Sequence, residues 1–206
     1  MFKNKFSKIV CAVAAAFVLS VILSFFSFEA RCDDIRNNVL RLHILANSDN
    51  EYDQALKLKV RDEILNSSGE LFNQCTDLES AISFSKNSLK DWEIIAENVV
   101  RENGYDYDVN VALKKVYFET RHYDTFTLPA GFYEAVQFEI GEGKGKNWWC
   151  VMFPSFCLSA AAEKESLKYL GEDATKIITN SKKYEIRFKT VEIYQKIKKF
   201  IRNKSK

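Results

Sequence analysis

Histidine is scarce in this chain. His43 and His122 are the only two among 206 residues, so imidazole-assisted nucleophiles and histidine-ligated metals have just these two side chains, far apart in sequence, to draw on. The five cysteines contain no Cys-x-x-Cys spacing, which argues against a zinc ribbon and against a thioredoxin-like redox centre. Seven glycines and two prolines are too few for a collagen-like or low-complexity chain. An excess of either charge is missing too. Thirty basic residues face 28 acidic ones for a net +2, a balance too even for a protein that coats nucleic acid. No nucleic-acid partner, small-molecule substrate or cofactor is expected.

What is present starts with Lys3, Lys5 and Lys8, followed by an uncharged run from Ile9 to Phe28 in which Ser20, Ser24 and Ser27 are the clear interruptions. Basic residues ahead of an apolar stretch follow the order of an export signal. About twenty apolar residues cross about 30 Å of hydrocarbon as a helix and exceed the usual apolar core of a signal peptide. Residues 1–30 therefore read as a signal peptide or amino-terminal membrane anchor. Cleavage after Ala30 would leave Phe28 where a small residue is wanted. The lysines favour an inside amino terminus, which puts residues 31–206 outside as one domain. At 47% hydrophobic and 14% aromatic composition, that length can bury roughly 70% of its unfolded surface around one core.

The exported part carries 27 basic and 27 acidic residues, unevenly placed. From Lys182 onward ten basic residues stand against Glu185 and Glu192 alone. Such a tail can rest on anionic lipid or on the acidic body of its own chain. Cys11 lies in the apolar run, leaving Cys32, Cys75, Cys150 and Cys157, an even number in an oxidisable setting. Cys150 and Cys157 flank Pro154 in a short loop that suits a local bridge; two buried free thiols are the alternative.

Leu40, Leu42, Ile44 and Ala46 alternate along a strand. Ser48 with Glu51 has capping-box spacing and opens a helix striped by Leu56, Val60 and Ile64, widened by Tyr52, Ala55 and Leu65, that ends at Ser67-Ser68-Gly69. A second helix runs from about Leu78 to Asn103, and Gly104 stops it. Tyr105 to Phe118 reads as a strand whose apolar phase jumps near Lys114, the signature of a bulge. Leu128-Pro129-Ala130-Gly131 reads as a turn, residues 136–140 and 148–153 as further strands, and Gly141 to Lys146 as a flexible hairpin tip. A helix over residues 160–171 closing at Gly171, a last strand at Tyr184, Ile186 and Phe188, and a basic carboxy-terminal helix complete the pattern. The expected class is α+β, a two-layer domain with helices on one face of a mostly antiparallel sheet behind an amino-terminal export helix.

Gly-Glu-Gly-Lys-Gly-Lys at 141–146 lacks the Gly-x-x-x-x-Gly-Lys-Ser/Thr spacing of a phosphate loop. His43, Asn47 and Cys150 allow a thiol-dependent enzyme as the rival reading, although His43 alternates outward on its strand. Trp148 and Trp149 are adjacent on one strand and must point to opposite faces.

Three stretches together carry a family resemblance: Arg41-Leu-His-Ile-Leu-Ala-Asn-Ser-Asp49 with Gln54-Ala-Leu-Lys57 and Arg61-Asp62; Leu128-Pro-Ala-Gly131-x-Tyr133-Glu-Ala135; and Gly141-x-Gly-x-Gly145-x-Asn147-Trp-Trp-Cys-Val151-x-Phe153-Pro154-x-x-Cys157. Over roughly Val39 to Cys157 the chain resembles the stage II sporulation protein R family. Departures begin after Pro154, where the family tends to show a second proline and an acidic residue after the cysteine. The resemblance implies a non-enzymatic messenger of endospore-forming bacteria, exported from the forespore into the space between forespore and mother cell. Its implied partner is a membrane-embedded aspartic protease that processes pro-sigma-E. On that reading Gly143, Lys144, Gly145, Asn147, Trp148 and Trp149 are contact candidates, with Arg41, His43, Lys57 and Arg61 as weaker ones.

Overall fold

The computed structural model describes residues 2–72, 74–154 and 167–204. Helix α1 spans Phe2–Arg36, strand β1 Leu40–Leu45, α2 Glu51–Phe72, α3 Leu78–Glu102 and β2 Val109–Phe118. The short strands β3 (Arg121–His122) and β4 (Thr127–Leu128) pair with each other, followed by β5 (Gly131–Ile140) and β6 (Asn147–Phe153). After a 3-10 turn at Leu167–Leu170 come α4 (Gly171–Thr179) and α5 (Ser181–Lys204).

The main sheet has the order β2-β5-β1-β6. β5 is antiparallel to β2 and parallel to β1, and β1 is antiparallel to β6. The expected α+β class with a mostly antiparallel sheet is therefore present. The loop at 141–146 is not a hairpin tip, however, because β5 and β6 are not neighbours: it crosses over the end of β1, which lies between them.

Alternation places Leu40, Leu42 and Ile44 on one face, where they meet Leu56, Val60 and Ile64 of α2 and Trp92, Ala96 and Val100 of α3. This is the single helical layer expected from the sequence. The opposite face, to which the two-layer reading assigned no helices, carries a second helical layer. Phe28, Cys32 and Ile35 of α1, Ile177 and Ile178 of α4, and Phe188 and Val191 of α5 pack there on Phe118, Tyr133, Ala135 and Val151. The phase jump in β2 follows from this second layer. Val109 to Phe118 pair with Ile140 to Gly131 without interruption, so there is no bulge near Lys114. Val109, Val111 and Leu113 face the first layer, whereas Val116 and Phe118 face the second. The sheet's irregularity lies between Leu40 and Arg41 opposite β6.

The apolar part of α1 is long and apolar enough to cross a membrane and is unburied, as an export signal or an anchor would be. The boundary drawn after residue 30 falls inside a continuous helix. Phe28 and Glu29 are 4% and 5% exposed, and Glu29 Oε1 accepts hydrogen bonds from Arg36 Nη2 at 2.7 Å and Gln195 Nε2 at 2.5 Å.

Three local readings are corrected. α2 continues to Phe72, because the Ser67 and Ser68 hydroxyls bond back to the Ile64 carbonyl and stay inside the helix, and Tyr52 is exposed instead of widening its stripe. The expected strand at Tyr184, Ile186 and Phe188 is the start of α5, whose buried residues Phe188, Val191 and Gln195 recur at three- and four-residue steps. The helix expected over 160–171 lies largely outside the described residues; Gly171, at φ +75°, separates the 3-10 turn from α4.

Helix and strand make opposite predictions for α5. Phe188 is 2% exposed and Ile186 85%, so Phe188→Ala should cost about 3–5 kcal/mol in urea unfolding and Ile186→Ala less than about 0.5 kcal/mol. Equal costs would restore the strand.

Candidate functional site

Where β1 ends, the chain enters a turn held by one carboxylate. Asp53 Oδ2 accepts from Asn47 Nδ2 at 2.9 Å, Ser48 Oγ at 2.7 Å and Asn50 Nδ2 at 3.0 Å. The Asp53 backbone amide donates to Asn50 Oδ1 at 2.7 Å. Asn50 is thus the residue that caps α2, with Asp53 as its reciprocal partner, and the Ser48/Glu51 capping pair is corrected. The Asn-x-x-Asp spacing was the available signal. Burial pushes the Asp53 carboxyl up, but the bonds from Ser48 and Asn47 help outweigh it and hold the group below its ordinary range.

The same turn clamps the glycine loop. Asn47 Oδ1 accepts from the Glu142 amide, Asn47 O from Lys144, Ala46 O from Gly145 at 2.8 Å, and Asp49 Oδ1 from Lys146 at 2.6 Å. Lys57, 4% exposed, donates its Nζ to the Lys146 carbonyl at 2.8 Å and to Gln54 Oε1. A Cβ on Gly145 would lie 2.2 Å from the Ser48 carbonyl oxygen, and one on Gly141, at φ +58°, would lie 2.4 Å from Asn47 Oδ1. Glycine is required here by close approach of two backbones, not by a ligand.

On the face toward the second helical layer, His43 stacks on Trp149 with ring centroids 4.0 Å apart. Its Nε2 bonds Asn147 Oδ1 at 2.7 Å and its Nδ1 accepts from Gln137 Nε2 at 2.9 Å, an arrangement that suits the neutral imidazole. Burial lowers the His43 pKa. Arg41 is fully buried; it donates Nε to the Cys150 carbonyl at 3.1 Å and Nη2 to Tyr123 Oη at 2.6 Å, and its guanidinium lies 4.2 Å from the Phe118 ring centroid. Among the described residues no carboxylate pairs with it. The motif at 128–135 is likewise structural: Tyr133 Oη donates to the Pro129 carbonyl and Arg36 Nη1 to the Ala130 carbonyl.

The sequence candidates therefore separate. Arg41, His43, Lys57 and Gly145 are buried in the interior and the loop clamp, whereas Asn147 is exposed at the start of β6 with its side chain on His43. Sequence reading put the cations outside because buried ones are rare. Gly143 and Lys144 lie at the loop surface, Lys144 paired with Glu142 at 2.8 Å. Trp148 and Trp149 sit on the edge strand β6, partly exposed, on opposite faces as expected. Arg61 covers Trp148 at 4.4 Å and Arg121 approaches Trp149 at 5.9 Å. A cavity of about 480 Å³ opens between Arg61, Trp148 and Tyr123, and one of about 360 Å³ between Trp149, Arg121 and Lys199. These two grooves form the candidate recognition surface.

Cys150 and His43 do not meet as a catalytic pair. Cys150 aligns with Leu42 and His43 with Trp149, so the two side chains take opposite faces, and the Cys150 sulfur is disulfide-bonded. Cys157, expected as its partner, lies outside the described residues; Cys11, Cys32 and Cys75 are free. Among the described residues no three His, Cys, Asp or Glu side chains gather as a metal site.

Two measurements check this geometry. Gly145→Ala should destabilise the protein by about 3 kcal/mol through overpacking, whereas Gly143→Ala, whose Cβ would meet nothing closer than 3.7 Å at φ +60°, should cost about 1–2 kcal/mol of backbone strain. Because burial favours neutral His43, its contribution to stability is full above the unfolded pKa of about 6.5 and is lost as pH falls through the lower folded value. The urea midpoint should thus drop between about pH 7 and pH 5, and His43→Gln should flatten that drop; an unchanged slope would contradict the assignment.

Comparison with known proteins bears on the same region. The family described as stage II sporulation protein R matches residues 36–163, from the Arg36 that grips the Ala130 carbonyl through the crossover loop and β6. The chain is 34% identical over 134 residues to stage II sporulation protein R of Bacillus subtilis (strain 168), an alignment covering 65% of this chain and 60% of that protein. No solved structure matches. With more than half its length matched and every motif used in the clamp inside the match, the chain belongs to the stage II sporulation protein R family.

Proposed function

We propose that this chain is an exported messenger of endospore formation, not an enzyme. It leaves the forespore by α1, stays in the space between forespore and mother-cell membranes as a secreted or anchored protein, and activates a membrane-embedded aspartic protease that processes pro-sigma-E. Family membership supports the sporulation role, and the unburied apolar helix is compatible with export or anchoring. The observation that carries the reading is the edge strand β6. A hydrogen-bonded loop fixes its first residue, two partly exposed tryptophans flank it on opposite faces, and a groove lies beside each. Partly exposed tryptophan and arginine on a rigid support are the side chains that dominate recognition energies, and β6 offers them without assembling a nucleophile beside a base.

A messenger switches its protease by binding the active state better than the inactive one, and about 1.4 kcal/mol of difference shifts that ratio tenfold. Co-expression of this chain with the protease and pro-sigma-E should yield cleavage that is absent when the chain is left out. Arg121→Glu, beside Trp149, should lower cleavage by about tenfold with the unfolding midpoint unchanged, while Lys90→Glu on the far side of α3 should leave cleavage intact. Cleavage independent of the chain would remove the messenger role; a silent Arg121→Glu would move the recognition surface elsewhere.

A further inference from the structure

α5 has two faces, and the fold uses one of them. Phe188, Val191, Glu192 and Gln195 are buried against the body. On the opposite side Ile186, Ile193, Ile197 and Phe200 are 85%, 53%, 55% and 60% exposed. Their spacings of seven, four and three residues put them on one continuous stripe. Arg187, Lys189 and Lys198 lie along its flanks, Lys189 also within 3.3 Å of Glu192. A stripe of large apolar side chains left in water on a helix is costly by itself, and basic residues on both borders are the pattern of a helix lying in a membrane interface.

The position of α5 says which membrane. Tyr184 and Phe188 both meet Phe28, Tyr194 meets Phe25, and Gln195 bonds Glu29. Together with the groove between the two helices, these contacts run from Val21 to Glu29 on α1 and from Tyr184 to Gln195 on α5, so α5 packs against the last turns of the apolar run. A shallow apolar groove of about 320 Å³ lined by Val21, Phe25, Arg187 and Thr190 joins the two helices there. A helix packed at the end of a spanning segment lies within reach of the bilayer surface.

We propose that the Ile186–Phe200 face of α5 docks on the outer surface of the membrane that α1 enters, with Ile193, Ile197 and Phe200 in the acyl boundary and the flanking cations on anionic headgroups. This surface is distinct from the β6 grooves, and it fixes the body's orientation on the bilayer independently of whether those grooves bind a protease. Several tail cations also hold the helix to its own chain: Lys196 pairs with Glu119, and Lys199 and Arg202 cover the Tyr117 and Phe132 rings. Those contacts lie on the body side and leave the stripe turned away from it.

The test uses the full chain reconstituted by α1 into vesicles of phosphatidylcholine and phosphatidylglycerol in equal parts, with bromine on the acyl chains as a quencher. Ile197→Trp adds one tryptophan on the stripe; Tyr52→Trp adds one on the exposed start of α2 as a reference. Both sites are solvent-facing, so both variants should keep the parent circular dichroism. The added Ile197→Trp emission should be blue-shifted and quenched several-fold more than that of Tyr52→Trp, and more strongly than in phosphatidylcholine alone. Equal quenching at the two positions would overturn the proposal, as would cross-linking of Ile197→Cys copies to each other without quenching, which would make the face an interface between chains. Equal quenching with and without phosphatidylglycerol would overturn the anionic recognition.

Discussion

Asp53 and the turn around it hold together two parts of the chain that sequence order keeps almost a hundred residues apart. One oxygen gathers Asn47, Ser48 and Asn50, and oxygens of Ala46, Asn47 and Asp49 in the same turn accept from the backbone amides of the loop at 141–146. A hydrogen bond to a charged acceptor is worth about 1.5–3 kcal/mol. The stronger consequence is topological. β5 must pass the end of β1 to deliver β6 to the sheet edge, and the loop that does so has the backbone of the β1–α2 turn as its floor. The parallel β1–β5 pair and the antiparallel β1–β6 pair thus share one central strand, with the loop between β5 and β6 bonded across its end.

Rigidity at this point has a chemical corollary. The buried polar groups of the motif, Arg41, His43 and Lys57, each satisfy carbonyls or side-chain amides instead of facing water. Removing either member of one of these bonds would leave a buried polar group unpaired, at a cost of about 1–3 kcal/mol, although Arg41 Nη1 and Asp53 Oδ1 already lack a partner among the described residues. The residues that remain outward, Trp148, Trp149, Arg61 and Arg121, then hold fixed positions.

Much of the fold was legible in the sequence because periodicity and burial agreed. α3 and the β5 and β6 strands follow their apolar repeats, and adjacent Trp148 and Trp149 take opposite faces as the pleat demands. Three features were not legible. Sheet order was hidden because a glycine-rich link between two strands looks the same whether they pair or straddle a third. The start of α5 read as a strand because Tyr184, Ile186 and Phe188 alternate over a window too short to distinguish periods of 2 and 3.6; the next turn, with Val191 and Gln195, decides for helix. The second helical layer was missed for the same reason, and with it the meaning of the phase jump in β2. At the candidate site, the sequence reading assigned Arg41 and Lys57 to the surface, whereas both are buried and bonded to backbone carbonyls.

The most direct test of the account is native-state hydrogen exchange on the full chain, read at the amides of Glu142, Lys144, Gly145 and Lys146. If the turn around Asp53 is the constraint on which the sheet order rests, these loop amides should exchange as slowly as those of β1 and β5 and open only with the global unfolding transition. Rapid exchange at these four positions while β1 stays protected would mean that the loop is a mobile connector, and the account would be wrong.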